Sequence, residues 1–255
     1  MKQRVVEAAT WAWVPSDAQD YVEDDYRLTI YPHRASVQWS TTSRPLPELI
    51  AEVRRRAREA GHSAVRWWVN GRTAPANTAD VLEQLGFELI ETVQVLALEL
   101  RSADELAAAL ELPDDVIARP ADDADSIYLA GQLDSQVFGW PPPTRQQLED
   151  EREMLAEANG SPTVRRFLAY VDDQAVGSAG YTLVDDVLRL WGAGVLPEAR
   201  GRGAYRALLA ARCADGIRQG ATLALVKGRT ETSAPVLRRA GFTSYGIEKC
   251  YQGAT

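Results

Sequence analysis

The chain has 255 residues, of which 45% are hydrophobic and 25% charged, enough apolar side chains for one large core or two small ones. Acidic residues (36) outnumber basic ones (28), and the formal net charge of −8 argues against nucleic acid as a general partner while suiting a cationic small-molecule substrate. Cys213 and Cys250 are too few for a disulfide framework and fit a reducing, cytoplasmic setting; the first residues carry no signal-peptide core, no apolar run approaches the ~20 residues of a membrane helix, and neither His33 nor His62 lies in a cluster with metal-ligand spacing.

In chain order, residues 5–13 and 26–31 read as extended, and 36–40 as a further strand. Residues 47–60 read as a charged helix stopped by Gly61. A strand over 64–69, a helix over 77–85 and a long strand over 88–100 follow. The Ala-rich stretch 102–115 reads as a linker helix, which divides the chain into residues 1–101, the linker 102–115, and residues 116–255.

The later part opens with a strand over 116–120. Residues 124–138 place Ile127, Leu129 or Ala130, Leu133 and Val137 on one helical face. Gly139-Trp140-Pro141-Pro142-Pro143 breaks that helix, and Thr144 is a candidate N-cap for another over 145–158. Phe138 and Trp140 make a rigid aromatic corner, either a wall for a substrate or a plug over the core. Residues 163–172 and 175–184 form a hairpin around Asp173-Gln174, and Asp185-Asp186 turns the chain into an apolar strand over 187–195. A helix over 204–219, a strand over 222–226, a late helix ending at Gly241-Phe242 and a closing strand complete an α/β order. It predicts a mixed, largely antiparallel central sheet flanked by helices.

The most informative stretch is Val195-Leu196-Pro197-Glu198-Ala199-Arg200-Gly201-Arg202-Gly203-Ala204-Tyr205-Arg206. A strand exit, a tight loop with two glycines and a helix start make an anion site. Free backbone N–H groups and the positive end of the helix dipole both point at the ligand. Arg200, Arg202 and Arg206 add full charges. The loop is not a Walker loop, because no Lys-Ser/Thr pair follows the glycines. It is not the dinucleotide fingerprint either: Arg206 stands where the third glycine belongs, and the region of the ribose carboxylate, near Leu223, is apolar.

Arg200-x-x-Gly203-x-Tyr205 resembles the [Q/R]-x-x-G-x-[G/A] acetyl-CoA pyrophosphate loop of the GNAT (general N-acetyltransferase) superfamily. Val195-x-Pro197-Glu198-x-Arg200-Gly201 is similar to that family's strand exit, and Ser233 to Phe242 to its late helix. The resemblance runs from about Val116 to Gln252. It implies acetyl-CoA as co-substrate, held by Gly194, Val195, Leu196, Arg200, Gly201, Arg202, Gly203, Ala204, Tyr205 and Arg206, with Phe138 and Trp140 bordering the acceptor. Tyr205 stands where the family usually has Gly or Ala, so its ring is expected to point away from the pyrophosphate. Leu237 stands where many members carry a tyrosine credited with protonating the departing thiolate. Leucine has no proton to give.

Residues 77–87 repeat residues 232–242 at a constant offset of 155, with Ala79/Ala234, Val81/Val236, Leu82/Leu237, Gly86/Gly241 and Phe87/Phe242 identical. A helix and then a strand precede each copy. The alternative is that two ordinary helix ends share a Gly-Phe. The repeat implies two tandem GNAT-like halves. The first is partial and degenerate, since its loop, residues 36–47, contains no glycine and specifies no phosphate nest.

Acetyl transfer to an amine requires an oxyanion site, a base and a route for the thiolate. Backbone N–H groups near Gly194 and Val195 could serve the oxyanion if the strand splays there, which Gly192 and Gly194 favour. Glu231 is the first candidate base and Asp134 a second; Tyr251 is the first candidate acid, with Tyr245 and Cys250 beside it. The expected function is an acetyl-CoA-dependent N-acetyltransferase acting on a small amine, with no metal, nucleic acid or membrane partner. The alternative is a non-catalytic acyl-CoA-binding or regulatory module, motivated by Leu237 and the unclear base.

Overall fold

The computed structural model describes residues 1–12, 14, 18–139, 141–149 and 163–255. Its helices are α1 Lys2–Ala9, α2 Leu46–Glu59, α3 Thr78–Gln84, α4 Ala103–Leu110, α5 Ala124–Phe138, α6 Ala204–Arg218 and α7 Ser233–Arg239. Its strands are β1 Gln19–Val22, β2 Tyr26–Tyr31, β3 Arg34–Ser40, β4 Ala64–Val69, β5 Glu88–Glu99, β6 Val116–Pro120, β7 Thr163–Val171, β8 Gln174–Val184, β9 Val187–Val195, β10 Leu223–Arg229 and β11 Thr243–Ala254. The chain folds into two compact units that are not contiguous in sequence. The first comprises residues 1–96, 228–235 and 244–255, and the second 97–227 and 236–243.

In the first unit the strands run in the order β1-β2-β3-β4-β11-β5. β1, β2 and β3 form an antiparallel meander, β3 and β4 are parallel, and β11 returns antiparallel to β4, with Tyr251 opposite Trp67. The last strand of the chain is thus built into the sheet of the first unit. On α2, Leu46, Leu49, Ile50, Val53 and Ala57 repeat at helical spacing and are buried. They close over Leu28, Ile30, Val37, Val65 and Trp67 of the strands, with Leu82 and Phe87 beside them.

The amino-terminal segment differs from its extended expectation. Residues 2–9 are helical, with Val5, Ala8 and Ala9 buried. Those positions are three and four apart, which is helical spacing; the Val5-Val6 pair gives the segment its strand-like composition.

In the second unit the order is β10-β9-β8-β7-β6. β6 to β9 pair antiparallel and β9 pairs parallel with β10. The helices α5 and α6 cover opposite faces of this sheet. Asp134 of α5 reaches Ser178 and Asp215 of α6 reaches Tyr181; those two β8 residues are an odd number of positions apart and point to opposite sides. A capping box between Asp123 and Ser126 starts α5, and Gly139 in the left-handed region ends it. Thr144 and Gln147 bond reciprocally to each other's backbone N–H at the start of helical residues 145–149.

The buried face of α6 carries an ion-pair cluster at its carboxyl end. Asp215, 2% exposed, accepts from Arg165 and Arg218 as well as from the Tyr181 hydroxyl. Arg165 also reaches Asp122 at 2.7 Å. This network ties α6 to β7 and β8 and fixes the direction in which the helix start points.

Candidate functional site

The site of the second unit begins where β9 and β10 part. Their parallel register runs from Val187 opposite Leu223 to Leu190 opposite Val226 and ends there, while β9 continues to Val195. Residues 191–195 are thereby released from the ladder on that edge. On the other edge, the step from Ser178 to Gly180 on β8 spans Gly194 to Trp191 on β9, one residue more. This is a β-bulge, and Gly192 within it has φ +60°, a conformation that favours glycine.

Gly194 faces the end of α5. A Cβ there would lie 2.7 Å from Val137 Cγ1 and 3.0 Å from Phe138 Cζ. Phe138 therefore stands against the strand exit. Trp140 lies outside the described residues. On the same face of the sheet, the buried Asp134 accepts hydrogen bonds from Ser178 Oγ and from Arg166. Arg166 lies 5.8 Å from the Trp191 ring, whose indole N–H donates to Thr182 Oγ1 at 2.9 Å. Asp134 is thus a paired carboxylate that joins α5 to β7 and β8. Arg166, Ser178 and Trp191 are far apart in sequence and belong to no motif, so sequence reasoning had no signal for them.

Beyond Val195, one 3-10 turn over Pro197–Ala199 carries the chain to Arg200. Gly201 (φ 81°) and Gly203 (φ 94°) are both left-handed. Gly203 is the N-cap of α6, and no side chain caps that helix start. Its first N–H groups are therefore left for a ligand or water. The three arginines are not equivalent. Arg202 is matched by Asp172 and Asp115, each at 2.8 Å, and these two carboxylates hold its pKa up. Among the described residues Arg200 Nε reaches only the Val195 carbonyl (3.3 Å), and Arg206 only the Leu110 carbonyl (2.9 Å). Arg200 and Arg206 thus have no carboxylate partner among the described residues. Tyr205 is half-buried; burial raises its phenol pKa and nearby Arg212 opposes that shift.

The remaining candidates are not part of this loop. Leu237 on α7 is fully buried. Glu231 is exposed in the turn before α7, among residues of the first unit. Tyr251 is 1% exposed in the first unit's core, and burial together with a hydrogen bond to Glu83 raises its phenol pKa. Tyr245 is half-buried and Cys250 buried, both in the first unit. Among the described residues no group of His, Cys, Asp and Glu could hold a metal ion, and no helix is long and apolar enough to cross a membrane.

The first unit contains the same strand–helix–strand–helix arrangement with its opening filled. The β3–β4 register ends at Val37 opposite Trp67, as the β9–β10 register ends early. Here residues 70–75 continue along the β3 edge. Asn70 Nδ2 donates to the Gln38 carbonyl (2.8 Å), Ala74 N to the Ser40 carbonyl (3.1 Å), and Thr42 N to the Ala74 carbonyl (3.0 Å). Arg72 lies over Trp39 at 4.2 Å. At the start of α2, Pro45 takes the N-cap position and Arg44 is bound by Asp25 (2.8 Å) and Glu52 (2.6 Å). Two carboxylates and no glycine nest make this helix start unsuited to a phosphate.

Residues 129–242 match the model of the acetyltransferase (GNAT) family. Similar solved structures include a GCN5-related N-acetyltransferase from Kribbella flavida, with 17% identity, 92% of this chain and 89% of that chain covered, and a TM-score of 0.63. A second, from Sphaerobacter thermophilus, has 18% identity, covers 92% and 82%, and has a TM-score of 0.64. A tandem GNAT protein from the clavulanic acid biosynthesis pathway, solved without AcCoA, shares 14% identity over 98% of this chain and 87% of its own, with a TM-score of 0.66. At these identities the likeness is one of fold, and the last of these proteins is itself a tandem GNAT protein. No curated protein matches the sequence.

Proposed function

We propose that the second unit binds acetyl-CoA and transfers its acetyl group to a small amine by direct attack on the thioester. The observation that carries this reading is the uncapped start of α6 at Gly203, flanked by Arg200 and Arg206, which have no carboxylate partner among the described residues, directly after a strand that leaves its neighbour. Helix N–H groups and two arginines suit a pyrophosphate. The released edge of residues 191–195 supplies backbone donors for the pantetheine arm and the thioester oxygen.

In this reading the neutral amine attacks the thioester carbon, the C–S bond breaks, and the proton lost from nitrogen goes to a base. The exposed Glu231 keeps the candidate role of base. Tyr251 as acid would need its buried hydroxyl uncovered, and Leu237 has none. The CoA thiol has an ordinary pKa near ~8.5, so its thiolate can leave into water and take its proton there. Two reduced, buried cysteines fit a cytoplasmic setting.

Incubation with acetyl-CoA and a panel of small amines, read by mass spectrometry, tests the reaction. An acetylated amine with stoichiometric release of CoA is expected. The second reading, an acyl-CoA-binding module without chemistry, is favoured by the buried Leu237 and predicts binding with no acetylated product and no thioester hydrolysis.

A further inference from the structure

Arg212 lies on α6, on the helix whose start forms the anion loop. Its side chain is 1% exposed, and no ion pair involves it among the described residues. A buried cation without a counter-charge costs several kcal/mol unless its donors are well used. Its hydrogen bonds among the described residues go to backbone carbonyls: Nε to Leu208 (3.0 Å), and Nη1 to Gly180 (3.0 Å) and Trp191 (3.3 Å). Gly180 and Trp191 face each other across β8 and β9 at the residue pair where the bulge begins. Trp191 immediately precedes Gly192, the bulge residue with positive φ. One guanidinium therefore clamps two strands from behind the bulge.

We propose that Arg212 is a positioning residue for acyl transfer: its guanidinium clamps the Gly180 and Trp191 carbonyls, fixes the Gly192 bulge, and so holds the N–H groups of residues 192–195 in place for the thioester oxygen. The proposal rests on the acyl-CoA reading of the second unit. The Arg212 cation is also bonded to the strand whose N–H groups would face the negative charge developing on the thioester oxygen. A lysine keeps the charge, but it has one nitrogen on a flexible stem and cannot hold the Leu208 carbonyl with one atom (Nε) while bridging the Gly180 and Trp191 carbonyls with another (Nη1). A methionine keeps the volume and loses both functions.

The test compares wild type with Arg212→Met and Arg212→Lys in the full chain by two readouts. Amide hydrogen exchange of the peptide covering residues 187–196 reads the clamp without needing turnover. It is expected to accelerate about tenfold or more in Arg212→Met and less in Arg212→Lys. Acetyl-CoA turnover with the amine panel is expected to fall about tenfold or more in the same order, with the dissociation constant for CoA within about twofold of wild type. Unchanged exchange in both variants overturns the proposal, as does a fall of turnover and CoA affinity in proportion. If Arg212→Met does not fold, the Arg212→Lys exchange decides alone. Failure of wild type to bind CoA would instead remove the acyl-CoA reading, and the exchange comparison would still decide the clamp.

Discussion

Gly194 and Phe138 approach so closely that a Cβ on Gly194 would lie 3.0 Å from the Phe138 ring edge, with Val137 Cγ1 nearer still at 2.7 Å. This contact sets the end of α5 against the strand exit and makes the two elements one wall of the site. Gly194→Ala must push α5 away or distort the bulge. Overpacking of this kind costs about 1–3 kcal/mol, so thermal unfolding should shift down measurably. Acetyl transfer should fall more than CoA binding, because the pyrophosphate loop lies beyond the contact.

The arginines of the loop should separate by their partners. Arg200→Ala and Arg206→Ala each remove a cation that no carboxylate among the described residues neutralises, and CoA affinity should weaken about tenfold, or ~1.4 kcal/mol, for each. Arg202→Ala also frees Asp115 and Asp172, and its own charge was already matched. Its loss should change CoA affinity by less than about threefold. Isothermal titration at two salt concentrations checks the ranking, and an Arg202 effect as large as the other two would refute it.

Leu237→Tyr would place a hydroxyl at the position where the resemblance expects one. The site is fully buried, however, and a tyrosine must displace packed neighbours. The expected outcome is a loss of about 1–3 kcal/mol of stability and no gain in turnover. A rise in turnover, with its alkaline limb moved, would mean that the missing acid limits the reaction.

Stability should decline in alkali. Burial pushes the Cys213 thiol up from 9.0 to about 12, with Arg212 opposing. Above pH 9 the unfolded chain releases this proton while the native protein keeps it. The stability linked to Cys213 is therefore complete below pH 9 and is lost as pH rises towards 12, at up to ~1.4 kcal/mol per pH unit. Tyr181 and Tyr26, raised by burial and by hydrogen bonds to Asp215 and Glu52, act in the same sense above their ordinary value of 10.0. Urea unfolding between pH 8 and 10.5 should show a shallower decline in Cys213→Ala than in wild type.

Elements with local signatures were legible in the sequence. The strand over 187–195, the helix over 124–138 and the Gly-containing loop follow from runs of apolar residues, capping residues and glycines within a few positions of one another. The helix at the amino terminus was not, because a Val-Val pair in a short segment gives composition and spacing opposite weights. Pairings between distant segments were also hidden. Nothing in the sequence of β11 says that it completes the sheet beside β4, or that Asn70 to Pro75 bond along β3. The Asp134, Ser178 and Arg166 cluster and the Arg212 clamp depend on side chains brought together by the sheet register. The glycine-free loop of the first half was legible as a loss; the carboxylates on Arg44 and the filled strand edge give that loss its physical form.

The central claim is that the chain has one acetyl-CoA site, in the second unit, while the corresponding opening of the first is filled by its own residues 70–75. Isothermal titration of the full chain with acetyl-CoA, in wild type and in the Arg200→Ala/Arg206→Ala double variant, tests it most directly. The account predicts one equivalent bound by wild type and at least about a hundredfold weaker binding in the double variant. Two equivalents, or one equivalent with affinity unchanged in the double variant, would contradict it.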